Sequence, residues 1–80
     1  MTSYKTIVRG LVKSYISNYM IHNYLGFLSG VRVDSLTFSG CICFFEARAS
    51  VEIVTKRKFI LKGEVFSSGA IAIYCVEEQQ

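Results

Sequence analysis

A helix laid on an antiparallel sheet, a small α+β domain, is the fold this sequence predicts, and three observations predict it. Apolar residues come in doublets about four apart between Ile7 and Leu25, and after Gly30 the period drops to two and stays there. The chain also holds no proline, while short turn-forming clusters punctuate its second half, as an uninterrupted β-meander requires.

The doublets are Ile7-Val8, Leu11-Val12, Tyr15-Ile16 and Tyr19-Met20, continuing to Tyr24-Leu25, and they predict a helix over residues 4–25. Lys5, Arg9, Lys13 and Ser17 form the opposing polar row, so one side is basic and the other wide and apolar. Thr2 or Ser3 suits the N-cap, and Gly26 suits a left-handed stop. Gly10 conflicts with this reading, since glycine inside a helix costs about 1 kcal/mol relative to alanine, and the β-prone residues 4–9 leave a short strand as the alternative. The pattern runs unbroken across Gly10, which favours the single helix, with the glycine expected to admit close packing on the sheet.

Beyond a connector at residues 26–30, four strands are expected at about residues 31–38, 41–54, 58–66 and 70–77. Ser39-Gly40 offers the first turn, Lys56, Arg57 and Lys58 make a charged hairpin tip, and Ser67-Ser68-Gly69 the last turn. From Phe45 to Ile53 the alternation is clean, with Cys43, Phe45, Ala47, Ala49, Val51 and Ile53 on one face and Glu46, Arg48, Ser50 and Glu52 on the other. Phe59, Leu61, Val65, Ile71, Ile73 and Cys75 extend the helix-facing set, where the alanines leave space for helical side chains. Ile42, Phe44, Ile60, Phe66, Tyr74 and Val76 are assigned to the far face as a second apolar set, the candidate dimer or partner surface.

All 80 residues fit one domain, and a domain of that size buries only about 60% of its unfolded surface. Against so thin a core, 51% hydrophobic residues, 14% aromatic and 19% charged are an excess of apolar surface. Association with a second copy, most simply a dimer, or with another protein is the expected remedy. The net charge of +3 is mild, but it is unevenly spread: Lys5, Arg9, Lys13 and Arg32 precede every acid in the chain.

Sites of chemistry are sparse. Cys41 and Cys43 with Cys75 and His22 suggest a zinc site, but cysteines one residue apart on a regular strand stand about 6.7 Å apart, whereas tetrahedral zinc holds its sulfurs at about 3.8 Å. No metal is expected, and no cofactor. His22 with a cysteine is the one nucleophilic pairing the inventory permits, with nothing around it in support. Glu46, Glu52 and Glu64 on one sheet face read as cross-strand ion pairing with Arg48 and Lys62 rather than as an acid–base pair. No catalytic residue is assigned.

The uncharged stretch Ser14 to Val31 is too rich in Ser, Asn and His for a membrane span. Three cysteines without a secretory segment indicate a reducing, cytoplasmic location. The functional expectation is a non-enzymatic intracellular protein–protein interaction module, a regulator, inhibitor or assembly factor, self-associating through its sheet. The alternative is a nucleic-acid-binding module that contacts phosphates through Lys5, Arg9 and Lys13 on the helix and Lys56, Arg57 and Lys58 at the hairpin tip.

Overall fold

The computed structural model describes residues 3–23, 27–52 and 54–79. One helix, α1 (Tyr4–Asn23), precedes four strands, β1 (Phe27–Ser39), β2 (Ile42–Glu52), β3 (Lys56–Val65) and β4 (Ile71–Gln79). The strands form an antiparallel sheet in the order β1-β2-β3-β4. This is the expected α+β architecture, helix and meander both.

Ser3 caps α1: its Oγ accepts from the Thr6 N–H at 3.2 Å, and its carbonyl accepts from the Ile7 N–H. Residues 4–9 are therefore helix and not strand. The Thr2 cap, the Tyr24-Leu25 doublet, the Gly26 stop and Ile53 lie outside the described residues. Of each doublet only the second member is buried, so Val8, Val12, Ile16 and Met20 seat the helix. Gly10 is exposed, and a Cβ built on it meets nothing within 4 Å, so it does not admit close packing on the sheet.

Arg9 Nη1 donates to the Val33 carbonyl at 2.6 Å, tying the helix to β1. The helix packs chiefly on β1 and less on β2. Tyr4 meets Phe38 with ring centroids 5.7 Å apart, which puts the helix N-terminus at the β1–β2 hairpin end. There Gly40, with φ of 59° followed by Cys41 at negative φ, makes the two-residue turn that a right-twisted hairpin favours.

Every strand differs from expectation at one boundary or more, β2 ending at Glu52 rather than at residue 54. β1 starts at Phe27, absorbing most of the expected connector, because extra residues at Ser29 and Asp34 bulge out of the ladder. The bulges break the period of two, so Leu28, Val31, Val33 and Leu36 all serve the core. Lys56, Arg57 and Lys58 belong to β3 and not to a hairpin tip. Cys41 sits in the β1–β2 turn, Ala70 lies just ahead of β4, and β4 continues to Gln79.

A third irregularity reverses part of β4. Between Lys62↔Cys75 and Gly63↔Ile73 the ladder skips Tyr74. Ile71 and Ile73 keep the helix side, but beyond Tyr74 the alternation inverts: Val76 pairs with buried Leu61 and packs on the core, while Cys75 pairs with Lys62 on the far face. The expected faces of Cys75 and Val76 are thus exchanged. At this point β3 carries Gly63, where a Cβ would stand 2.7 Å from the Phe45 ring and collide with the Ala72 carbonyl. Only glycine lets Phe45 and β4 approach so closely.

Replacing Gly63 with alanine is expected to lower stability by at least the 1–3 kcal/mol typical of overpacking, read as a lowered urea midpoint at unchanged slope. A wild-type midpoint would show that β4 does not lie against Gly63.

Candidate interaction surfaces

A helix about 10 Å across covers roughly two strands of a sheet whose strands are about 4.8 Å apart. α1 therefore leaves surface of two kinds, one on its own side of the sheet and one behind it.

On the helix side, the first members of the doublets are the residues left out. Ile7, Leu11 and Tyr15 are 50%, 48% and 40% exposed, with Tyr4 at 67% just before them. They form a ridge on the flank of α1 away from Arg9 and β1. Thr6, Gly10 and Ser14, all exposed and small, run beside it at the same spacing. The sequence pattern made this side apolar but did not divide it, since two rows four apart are equally apolar and only the tilt of the helix on the sheet decides which is buried.

Behind the sheet, register places side chains in cross-strand rows. Thr37, Phe44, Glu64 and Ala72 form one row, then Ser35, Glu46, Lys62 and Cys75, then Arg32, Arg48, Ile60 and Glu77, then Gly30, Ser50, Lys58 and Gln79. Of the expected apolar set, Ile42 and Phe44 lie together at the hairpin end, with Phe66 exposed just after β3, and Ile60 is half-buried among charged residues. Tyr74 is the bulged residue, 62% exposed, and Val76 faces the core. Glu46 stands opposite Lys62 and Glu52 opposite Lys56, so the glutamates are interleaved with cations and form no carboxylate pair.

The six expected phosphate contacts are not brought together. Lys5, Arg9 and Lys13 ride on the helix, with Arg9 held by Val33, and the helix N-terminus lies at the end of the sheet opposite the start of β3. Within β3, Arg57 turns to the helix side, donating from Nε and Nη2 to both Glu78 oxygens at 2.7 Å and resting 5.2 Å from the Phe59 ring centre. Lys56 and Lys58 turn to the far face. There they join Arg32 and Arg48, and Arg48, expected to pair with the sheet-face glutamates, pairs with Asp34 instead because the bulge at Asp34 brings that carboxylate beside it.

Arg32 and Arg48 face each other across β1 and β2, an arrangement of like charges that is unfavourable without a counterion. Bulged Asp34 supplies it, its two oxygens taking Arg32 Nε at 2.7 Å and Arg48 Nε at 2.9 Å. An open depression of about 380 Å³ is lined by Arg32, Arg48, Lys56 and Lys58 together with Ser50 and Gly30, and by no carboxylate. Lys56 and Lys58 have no ion-pair partner among the described residues.

The thiols are scattered. Cys41 is exposed in the turn, Cys43 is buried under the helix, and Cys75 is half-buried on the far face. Among the described residues no three of His, Cys, Asp or Glu are grouped as a metal site would need, and no helix is long and apolar enough to cross a membrane. Burial pushes the Cys43 thiol up, against the smaller pull of a Thr37 backbone hydrogen bond and the Lys5 charge. No family model matches the chain, and neither a curated protein nor a solved structure matches it.

Two outcomes follow. Cys41 is expected to react first with a disulfide reagent at mild alkaline pH and Cys43 only as the chain unfolds, which peptide mapping of partially labelled protein reads. The Arg57 guanidinium holds the Glu78 carboxyl below its ordinary value, so this pair's small contribution is present above the usual carboxylate range and is lost as pH falls through it. Glu78→Gln should therefore shrink the stability difference between about pH 6 and pH 3, measured by urea midpoints.

Proposed function

We propose that this chain is a non-enzymatic interaction module, a regulator, inhibitor or assembly factor of the cytoplasm, that works as a pair of identical chains joined through α1. The observation that carries the proposal is the ridge of Ile7, Leu11 and Tyr15 beside the groove over Thr6, Gly10 and Ser14. Rows spaced by four on two helices interdigitate ridge into groove. A face that bears one ridge and one groove is complementary to itself, as a two-fold contact requires.

Gly10 supports the same occupant. Within one chain it weakens the helix by about 1 kcal/mol relative to alanine, and among the described residues nothing beyond the helix's own nearby backbone lies within 4 Å of a Cβ built there. A partner helix seated over it would. The exposed parts of Tyr4, Ile7, Leu11 and Tyr15 amount to on the order of 400 Å², about half of the roughly 800 Å² each partner buries in a standard interface. That share matches the apolar part of such contacts, the polar rim being supplied by neighbours such as Asn18. The apolar set on the far face of the sheet is smaller and divided by charge, which makes it the weaker surface for pairing.

Multi-angle light scattering at tens of micromolar should give twice the monomer mass, and Leu11→Glu should give the monomer mass with an unchanged circular dichroism spectrum. Gly10→Ala separates the two roles of the glycine. At concentrations where the chain is monomeric it should stabilise the fold by about 1 kcal/mol, while it weakens pairing. Monomer mass for the unaltered chain at these concentrations would remove the proposal.

A further inference from the structure

We infer that the far face of the sheet is a binding site for single-stranded nucleic acid, centred on the cleft between Arg32, Arg48, Lys56 and Lys58. The charge arrangement comes first. Asp34 meets each arginine most closely at Nε, and the terminal nitrogens of both guanidinium groups make no hydrogen bond among the described residues. Each arginine thus keeps a donor edge for an incoming anion, and the two lysines add mobile charge beside them.

The layout favours a chain of phosphates over one compact anion. Cations occupy three successive cross-strand rows, Arg32 with Arg48, then Lys58, then Lys56. Successive rows on one sheet face are about 6.7 Å apart, a repeat an extended sugar–phosphate backbone can follow. Gly30 and Ser50 form the low centre of this track, where no long side chain blocks the approach.

Aromatic rings flank the track and select single strands. Phe27 is 85% exposed and shares the row of Glu52 and Lys56 at one end. Phe44 and Phe66 stand 40% and 37% exposed toward the other end. Bases of a single strand offer their faces to such rings, whereas those of a duplex are already stacked. An acidic protein surface would satisfy the cations and leave the rings unused, so it is the competing occupant that the experiment must exclude.

Fluorescence anisotropy of a labelled oligothymidylate of about 12 nucleotides, with a duplex of equal length, heparin and poly-glutamate as competitors, tests this. If all four cations contact phosphate, affinity should fall about fiftyfold between 50 and 200 mM salt, and Lys56→Ala with Lys58→Ala should halve the logarithmic salt slope. Phe27→Ala should weaken single-strand binding about fivefold or more without changing heparin binding. Leu11→Glu, on the opposite side of the molecule, should leave the site intact. Absence of binding at 50 mM salt, or equal competition by poly-glutamate with no effect of Phe27→Ala, would overturn the inference. Because Lys56, Lys58 and Phe27 are solvent-facing, circular dichroism of each variant separates lost binding from lost fold.

Discussion

One helix cannot cover four strands, and most of what distinguishes this chain follows from that mismatch of widths. The helix-side residues of β1, β2 and β3 are buried while those of β4 stay half-buried, and Arg9 ties the helix to β1 by reaching the Val33 carbonyl. Val8, Val12, Ile16 and Met20 are thereby buried, and Ile7, Leu11 and Tyr15 are left on the flank away from β1. The off-centre seat makes the helix at once the roof of the core and a ridge toward solvent.

The far face is organised by a different device, the bulges of β1. An extra residue at Asp34 moves a carboxylate to where Arg32 and Arg48 would otherwise repel one another. The pairing fixes both guanidinium groups without burying them, which is what separates a held donor edge from an ordinary solvated arginine. The second bulge, at Ser29, brings its hydroxyl to the Ser50 hydroxyl at 2.8 Å and sets Gly30 opposite Ser50, so the floor of the cleft is low just where the cations surround it. The edge strand is irregular along the very stretch that lines the cleft, and the same irregularity protects that edge from pairing with another sheet.

How much of this was legible in the sequence depended on whether a local pattern or a distant contact decided the matter. The helix, the meander and the buried set from Cys43 to Val51 were legible because each rests on a period of side chains along one segment. The side of α1 that stays exposed was not, since doublets encode two equivalent rows and the choice rests on Arg9 meeting β1. The exchange of Cys75 and Val76 was hidden as well: it arises at Tyr74, beside the close approach of Ala72 to Gly63, two segments whose meeting no local pattern records. Gly63 itself was the available signal, a glycine in the middle of an apolar strand where a bulge or close backbone approach is the usual reason. Lys56, Arg57 and Lys58 were read as one basic tip because they are adjacent in sequence, and a strand separates adjacent residues onto opposite faces. That separation removes Arg57 from the cationic group and pairs it with Glu78, while Arg32 and Arg48, distant in sequence, replace it.

The two proposed surfaces lie on opposite sides of the sheet, and this gives them a joint consequence. A pair joined through α1 turns both far faces outward, so two identical cationic clefts would look away from the shared helices in a two-fold arrangement. One short strand could then engage only one cleft at a time. A longer strand could bridge both only by passing around the helix pair, and binding would gain from the second cleft once the strand was long enough to span that path. The two interactions also differ in their response to salt. Phosphate contacts weaken as salt rises, because neutralised counterions are no longer released into dilute solution. Burial of Ile7, Leu11 and Tyr15 carries no such term, and the acid-free helix, with Lys5 and Lys13 exposed on it, repels its twin less when those charges are screened. Salt therefore acts in opposite directions on the two faces, and their separate contributions can be told apart in one chain without altering a residue.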